Sequence, residues 1–231
     1  LRESVREKIY QSVYQIYLNI ERVKFPINPA DAVAMFTNCR IMTYETLAAV
    51  SGKTHEEIVK TCESYDGCTK YSPATDRYLI LINGSSRNSR CSERVCWTMA
   101  HELGHIVCGH FGELSDIQRS SDIDNREMEE EADFFAASLL APLQALSIIG
   151  VKGVEDIRKG FGLSQLASER RWSEFKDFLY NSTASVYSQK PSLWCLFRKR
   201  GILCPIPYHL YRSPKLPRIA PIDVGYPDAD L

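Results

Sequence analysis

The segment Thr98–His110, TMAHELGHIVCGH, constrains this chain more than any other. His101 and His105 stand four residues apart, so on a helix both imidazoles leave one face, a turn apart. Met99, Leu103, Ile106 and Val107 supply apolar positions for the remaining faces, and Gly104 leaves room for a second backbone. The pattern predicts a helix over about residues 93–110. Two imidazoles so placed can share one divalent ion such as Zn²⁺. Glu102 sits about 100° further round, where its carboxylate reaches a water on such an ion without being a ligand. A carboxylate there can take the proton as the water attacks a carbonyl. A purely structural or sensory metal site has no use for that base.

A catalytic metal needs a third protein ligand and an open position. The segment REMEEEADFFAASLLAP predicts a second helix over about residues 126–140, stopping before Pro142. Glu129 and Asp133 are again four apart on one face. Glu129 is the preferred third ligand, because Asp133 one turn on can then accept a hydrogen bond from a ligand histidine and fix its tautomer. Glu130 is the second choice. Ala132, Ala136 and Ala137 permit close helix packing, while Phe134, Phe135, Leu139 and Leu140 supply a buried side. On its own, the run Glu127, Glu129, Glu130 and Glu131 would read as a solvated acidic face. The histidine helix upstream reverses that reading.

The rest of the chain supports a core large enough to hold such a site. Of 231 residues, 44% are hydrophobic and 25% charged, an ordinary globular balance. A formal net charge of −1 gives no electrostatic reason for a nucleic-acid or anionic-membrane surface. No apolar run reads as a membrane span, and residues 1–20 read as an amphipathic helix rather than a signal peptide. Eight cysteines are too sparse for a stapled secreted scaffold and are read as reduced thiols, with a cytoplasmic location expected. Asp31 is expected to cap a helix, and Thr43–Val50 and Thr54–Cys62 to be short helices around Gly52. Tyr65–Thr75 reads as turns, Tyr78–Ile82 as the best strand and Ser85–Ser92 as a loop. Helices are expected at Val154–Lys159 and, capped by Ser164, through Leu179. Beyond Lys190, prolines dominate and an extended arm is expected.

The two central segments together resemble the ImmA/IrrE family of metallopeptidases. TMAHELGH and EEEADFFAASLLAP follow the two helix motifs of that family, with Asp133 in place of its more usual asparagine. FPINPADAVAMF, YETLAAVSGKTHEEI, the stretch from Tyr65 to Trp97, and FGLSQLASERR are similar as well, so the resemblance covers about residues 25–171. It implies an α+β zincin-like domain of the gluzincin type, mostly helical with a small β-sheet. It also implies His101, His105 and Glu129 as Zn²⁺ ligands, Glu102 as catalytic acid/base and Asp133 as the partner of a ligand histidine. Family members often cut helix-turn-helix repressors, commonly of phages and mobile elements. The implied partner is therefore a protein substrate, and the implied role a regulatory endopeptidase.

The expected organisation is an amphipathic helix at 1–24, a metallopeptidase domain at 25–180 and a Pro-rich extension at 181–231. Two other functions fit parts of the sequence. TYETLAAVSGKTHEEIVK has helix-turn-helix spacing, which suggests a DNA-binding transcription regulator, but His55, Glu56 and Glu57 suit neither phosphates nor base edges. The other is a metal-binding sensor with little turnover. His110 is a candidate oxyanion stabiliser, though a helix-end histidine favoured by the dipole is the duller account. Tyr208 and His209 are further candidate donors. A metal site at Cys62, Cys68, Cys91 and Cys96 has gaps too long for a structural zinc knuckle. Arg198-Lys199-Arg200, near Trp194 and Phe197, reads as a solvated basic turn rather than a partner surface. Tyr78–Asn83 is expected at a sheet edge, where it would pair with an extended substrate.

Overall fold

A computed structural model describes residues 1–84, 93–111, 122–181 and 193–204. A three-stranded sheet lies between two helical layers. Its strands are β2 (Cys39–Thr43), β3 (Gly67–Ser72) and β4 (Arg77–Ile82). Their order is β2-β4-β3, with β2 parallel and β3 antiparallel to β4. β4 is therefore central. The expectation that Tyr78–Asn83 lies at an edge is corrected, since its continuous apolar run is buried on both faces. Among the described residues β3 is an edge strand. It falls in the region read as turns, because Gly67, Thr69 and Lys70 carry little apolar signal and the pairing with β4 decides its conformation.

Alternation along β4 assigns the two layers. Ile80 and Ile82 join the main core, beneath α5 (Glu93–Val107). Leu81 joins a smaller cluster with Tyr44, Ile58 and Cys62, beneath α3 (Tyr44–Ser51) and α4 (His55–Cys62). These two short helices are joined through Gly52, at φ 69°, and are capped by Thr43 and by a Thr54–Glu57 capping box. The turn of α2 (Pro29–Val33) is capped by Asn28, whose side chain accepts from the Ala30 amide at 3.2 Å. Asp31, expected as the cap, lies inside the first turn, because Pro29 already fits the first helical position.

The long helix α6 (Asp122–Leu140) packs along α5. α1 (Glu3–Leu18) lies on its other side, with the Tyr10 and Phe134 rings edge-on at 5.2 Å and the Tyr17 hydroxyl donating to the Leu139 carbonyl at 2.6 Å. Pro142 breaks the chain before α7 (Leu143–Ile149), and α8 (Val154–Phe161) and α9 (Gln165–Asn181) follow. Ser164 caps α9 as expected, its hydroxyl accepting from the Ala167 amide at 3.3 Å. The stretch Asn125–Ile149 is long and apolar enough, by length and composition, to cross a membrane. However, 67% of its apolar window is buried in the protein and it is two helices, which marks a core element.

The expected extended arm is corrected over residues 193–204. α10 (Leu193–Arg200) buries Leu193, Leu196 and Phe197, and β5 (Ile202–Leu203) pairs with β1 (Val23–Lys24). The Phe197 ring meets Tyr17 edge-on at 5.0 Å. The basic turn is not simply solvated either: Arg200 donates to the carbonyls of Tyr17, Leu18 and Ile20 at 3.2, 3.0 and 2.7 Å. It thus binds the carbonyls at and just past the C-terminal end of α1, where the helix dipole favours a cation. Flanking prolines hid this helix from the sequence reading.

Candidate metal centre

The site is built where α5 and α6 come closest. A Cβ on Gly104 would sit 3.0 Å from both the Cα and the carbonyl oxygen of Ala132, so only glycine lets the backbones approach this far. That approach brings the polar face of each helix to the other. His101 Nε2 lies 3.0 Å from His105 Nε2. Glu129 reaches both, with Oε2 3.1 Å from His101 Nε2 and Oε1 3.4 Å from His105 Nε2. One ligand atom from each of the three lies within 4.8 Å of the others. Two imidazole nitrogens and one carboxylate oxygen at this separation fit a single divalent transition-metal ion. Glu130, the second choice, instead turns toward Arg126, at 3.3 Å.

The groups around this triad are themselves held. His101 Nδ1 lies 2.9 Å from Asp133 Oδ1, which leaves Nε2 to face the common point. Burial alone would lower the pKa of His101, but Asp133 and Glu129 outweigh it and bring the value up to about 9. Glu129 is held below the usual carboxylate range, first by its hydrogen bond to His101. Glu102, on the same turn as His101, is 8% exposed. Burial pushes its carboxyl above the usual range, and the Thr69 hydroxyl, donating to Oε2 at 2.8 Å, opposes that rise.

Thr69 escaped the sequence reading together with its strand. A hairpin signal was present in YSPATDRY, whose Asp76 turns with φ 48°, and the rings of Tyr71 and Tyr78 stack across the pair at 4.6 Å. Gly67 explains how β3 reaches the site. A Cβ there would meet Thr98 Cγ2 of α5 and the Leu81 carbonyl oxygen at 2.7 Å.

His110 is brought to the site, but not facing an open cleft. It is 6% exposed, with one ring nitrogen 2.8 Å from His105 Nδ1 and the other 3.1 Å from Glu131 Oε2. This geometry disfavours the oxyanion role. Tyr208, His209, the loop at 85–92 and the side chains of Trp194 and Cys195 lie outside the described residues. Cys62 and Cys68 belong to the α3–α4 side of the sheet and Cys91 lies outside the described residues, so a four-cysteine metal site is not assembled among the described residues. Cys96 is disulfide-bonded, whereas Cys39, Cys62, Cys68, Cys108 and Cys204 are free thiols. The reading of all cysteines as reduced is corrected to that extent, and the cytoplasmic expectation loses that support. A cavity of about 570 Å³ opens on Asp133, Trp97 and Leu166, but His101, Glu102 and His105 do not line it.

A search of the curated proteins finds no match. The family model of peptidase M78, the IrrE N-terminal-like domain, matches residues 59–187, more than half of the chain. The match takes in β3, β4 and the paired helices α5 and α6 that carry the site. A family of this kind implies a metallopeptidase and a metal ion. The chain belongs to the M78 peptidase family.

Proposed function

We propose that the chain is a zinc-dependent endopeptidase in which His101, His105 and Glu129 hold the ion and Glu102 handles the proton. The observation that carries this is the convergence of two imidazole nitrogens and a carboxylate within 4.8 Å beside a buried glutamate held by Thr69. When bound, such an ion polarises a carbonyl and acidifies a water. The chain's own residues do the rest. Asp133 accepts the Nδ1 proton of His101 and so keeps Nε2 free to ligate. Glu102, whose raised pKa suits it to both proton uptake and release, takes the proton of the attacking water on a carboxylate oxygen. It then returns that proton to the leaving amine. β3, the strand that carries Glu102's partner Thr69, is an edge strand among the described residues, a place where an extended substrate can add by backbone pairing. An extended protein segment is therefore the substrate form this site suits. By resemblance to the ImmA/IrrE family, a helix-turn-helix repressor is the substrate class to test.

A sensor with little turnover would use the same three ligands, but the buried Glu102 then has no task. A DNA-binding role for α3–α4 is disfavoured by Tyr44, Ile58 and Cys62, which turn the pair inward onto the sheet. The deciding experiment is metal content by elemental mass spectrometry for the wild type, Glu102→Gln and Glu129→Ala, alongside cleavage of a repressor panel. One zinc per chain in the first two and none in the third is expected, as three protein ligands require, with cleavage only by the wild type. A wild type that takes up no metal overturns the reading.

A further inference from the structure

His110 follows α5 across Gly109, whose φ of 78° turns the chain back on itself and lets the His110 amide donate to the His105 carbonyl at 3.0 Å. The side chain is thereby returned to the face of His105. Two ring nitrogens 2.8 Å apart, His105 Nδ1 and His110 Nδ1, can share only one hydrogen. If His105 offers Nε2 to a metal as a neutral ring, its own proton sits on Nδ1. His110 Nδ1 must then be the acceptor, and the His110 proton sits on Nε2. That nitrogen lies 3.1 Å from Glu131 Oε2, a carboxylate oxygen ready to receive it. One proton assignment thus serves the whole chain from Glu131 through His110 to His105.

We propose that His110 and Glu131 are positioning residues that fix His105 in the tautomer presenting Nε2, as Asp133 does directly for His101. The inference rests on the reading of His105 as a ligand. A rival use of the same atoms exists, since Cys108, His110 and Glu131 also bring ligand atoms within 4.8 Å of one another. A second ion there would take His110 Nε2 away from Glu131 and force the hydrogen onto Nδ1, against the hydrogen on His105 Nδ1. The two uses exclude each other, and the 2.8 Å contact favours the first.

The test measures zinc affinity of the full chain by competition with a chromophoric chelator, for the wild type, His110→Leu, His110→Gln and Cys108→Ser, with thermal melts beside it. His110→Leu should weaken zinc binding about 10–100-fold. His110→Gln should recover most of the loss, because a carboxamide accepts at its oxygen and donates from its nitrogen. Cys108→Ser should keep wild-type affinity at one zinc. On the unmodified zinc-loaded protein, nitrogen NMR of the imidazoles should find His110 neutral, protonated at Nε2 and bare at Nδ1, a readout that does not depend on any variant folding. A His110 protonated at Nδ1 overturns the proposal. So does a folded His110→Leu that binds zinc as tightly as wild type, or a second zinc lost in Cys108→Ser. A wild type that binds no zinc instead removes the ligand reading on which the proposal stands, and is told apart from these by that first measurement.

Discussion

Two helix pairs flank the sheet, α3–α4 on one face and α5–α6 on the other, and their polar side chains find different partners. In α3–α4 they serve mainly the local backbone: Thr43 and Thr54 cap, Glu57 closes the capping box and Ser51 donates to the Leu47 carbonyl. In α5–α6 they bond mainly to other side chains. Glu102 meets Thr69, His101 meets Asp133, and His105 meets His110. Polar groups that answer to backbone hold a shape, whereas polar groups that answer to one another and share a focus prepare chemistry. Burial separates the pairs as well. Glu102 and His110 are buried, whereas Glu56 and Glu57 on α4 are exposed.

The contrast predicts different losses on the two faces. The largest is expected at Glu102→Gln, which keeps the shape and removes the base. It should lower kcat for a cut peptide about 10²–10⁴-fold with metal content unchanged, and a variant retaining wild-type kcat would break the distinction. Next is Ile58→Ala in the α3–α4 cluster. It should cost about 2–5 kcal/mol in urea unfolding and leave zinc stoichiometry untouched below the transition. Loss of metal before unfolding would show that the two faces are coupled. Gly104→Val should cost about 1–3 kcal/mol by overpacking. Unlike Ile58→Ala it should also weaken zinc binding in the folded state, because the pressed backbone at Ala132 lies between Glu129 and Asp133.

The smallest effect is expected at Thr69→Val. The Thr69 hydroxyl favours the charged form of Glu102, so its removal raises a pKa that burial has already raised. A base works only when deprotonated, so the acid limb of kcat/KM should move to higher pH while activity well above the limb changes little. An unmoved limb would mean that another group sets it.

These differences also explain how much could be read in advance. His101, Glu102, His105, Glu129 and Asp133 were legible because helical periodicity is local: four residues of spacing fix which side chains share a face. Gly104 and Ala132 were legible as small residues, though not as partners of each other. Thr69 and His110 were not legible as neighbours of Glu102 and His105. Thr69 arrives through a strand that exists because β4 is there to pair with it, and His110 through a reversal at Gly109 that helical spacing does not describe. α10 was overlooked because Pro191, Pro205 and Pro207 surround it, although Leu193, Leu196, Phe197 and Arg200 already had the spacing of a helix packed on one side.

The pairing of β1 with β5, which joins Val23 to Ile202, has a consequence for synthesis. A ribosome releases the early residues long before the late ones, and contacts this distant in sequence form last. While translation proceeds, α1 can settle on α6 once Phe134 and Leu139 have emerged. Yet the Tyr17 ring and the carbonyls at the end of that helix wait for Phe197 and Arg200. In the growing chain Tyr17 and the end of α1 therefore lack these partners until residues 193–204 emerge. A chain ending just after the family match at residue 187 lacks the strand that pairs with Val23 and the ring that packs on Tyr17.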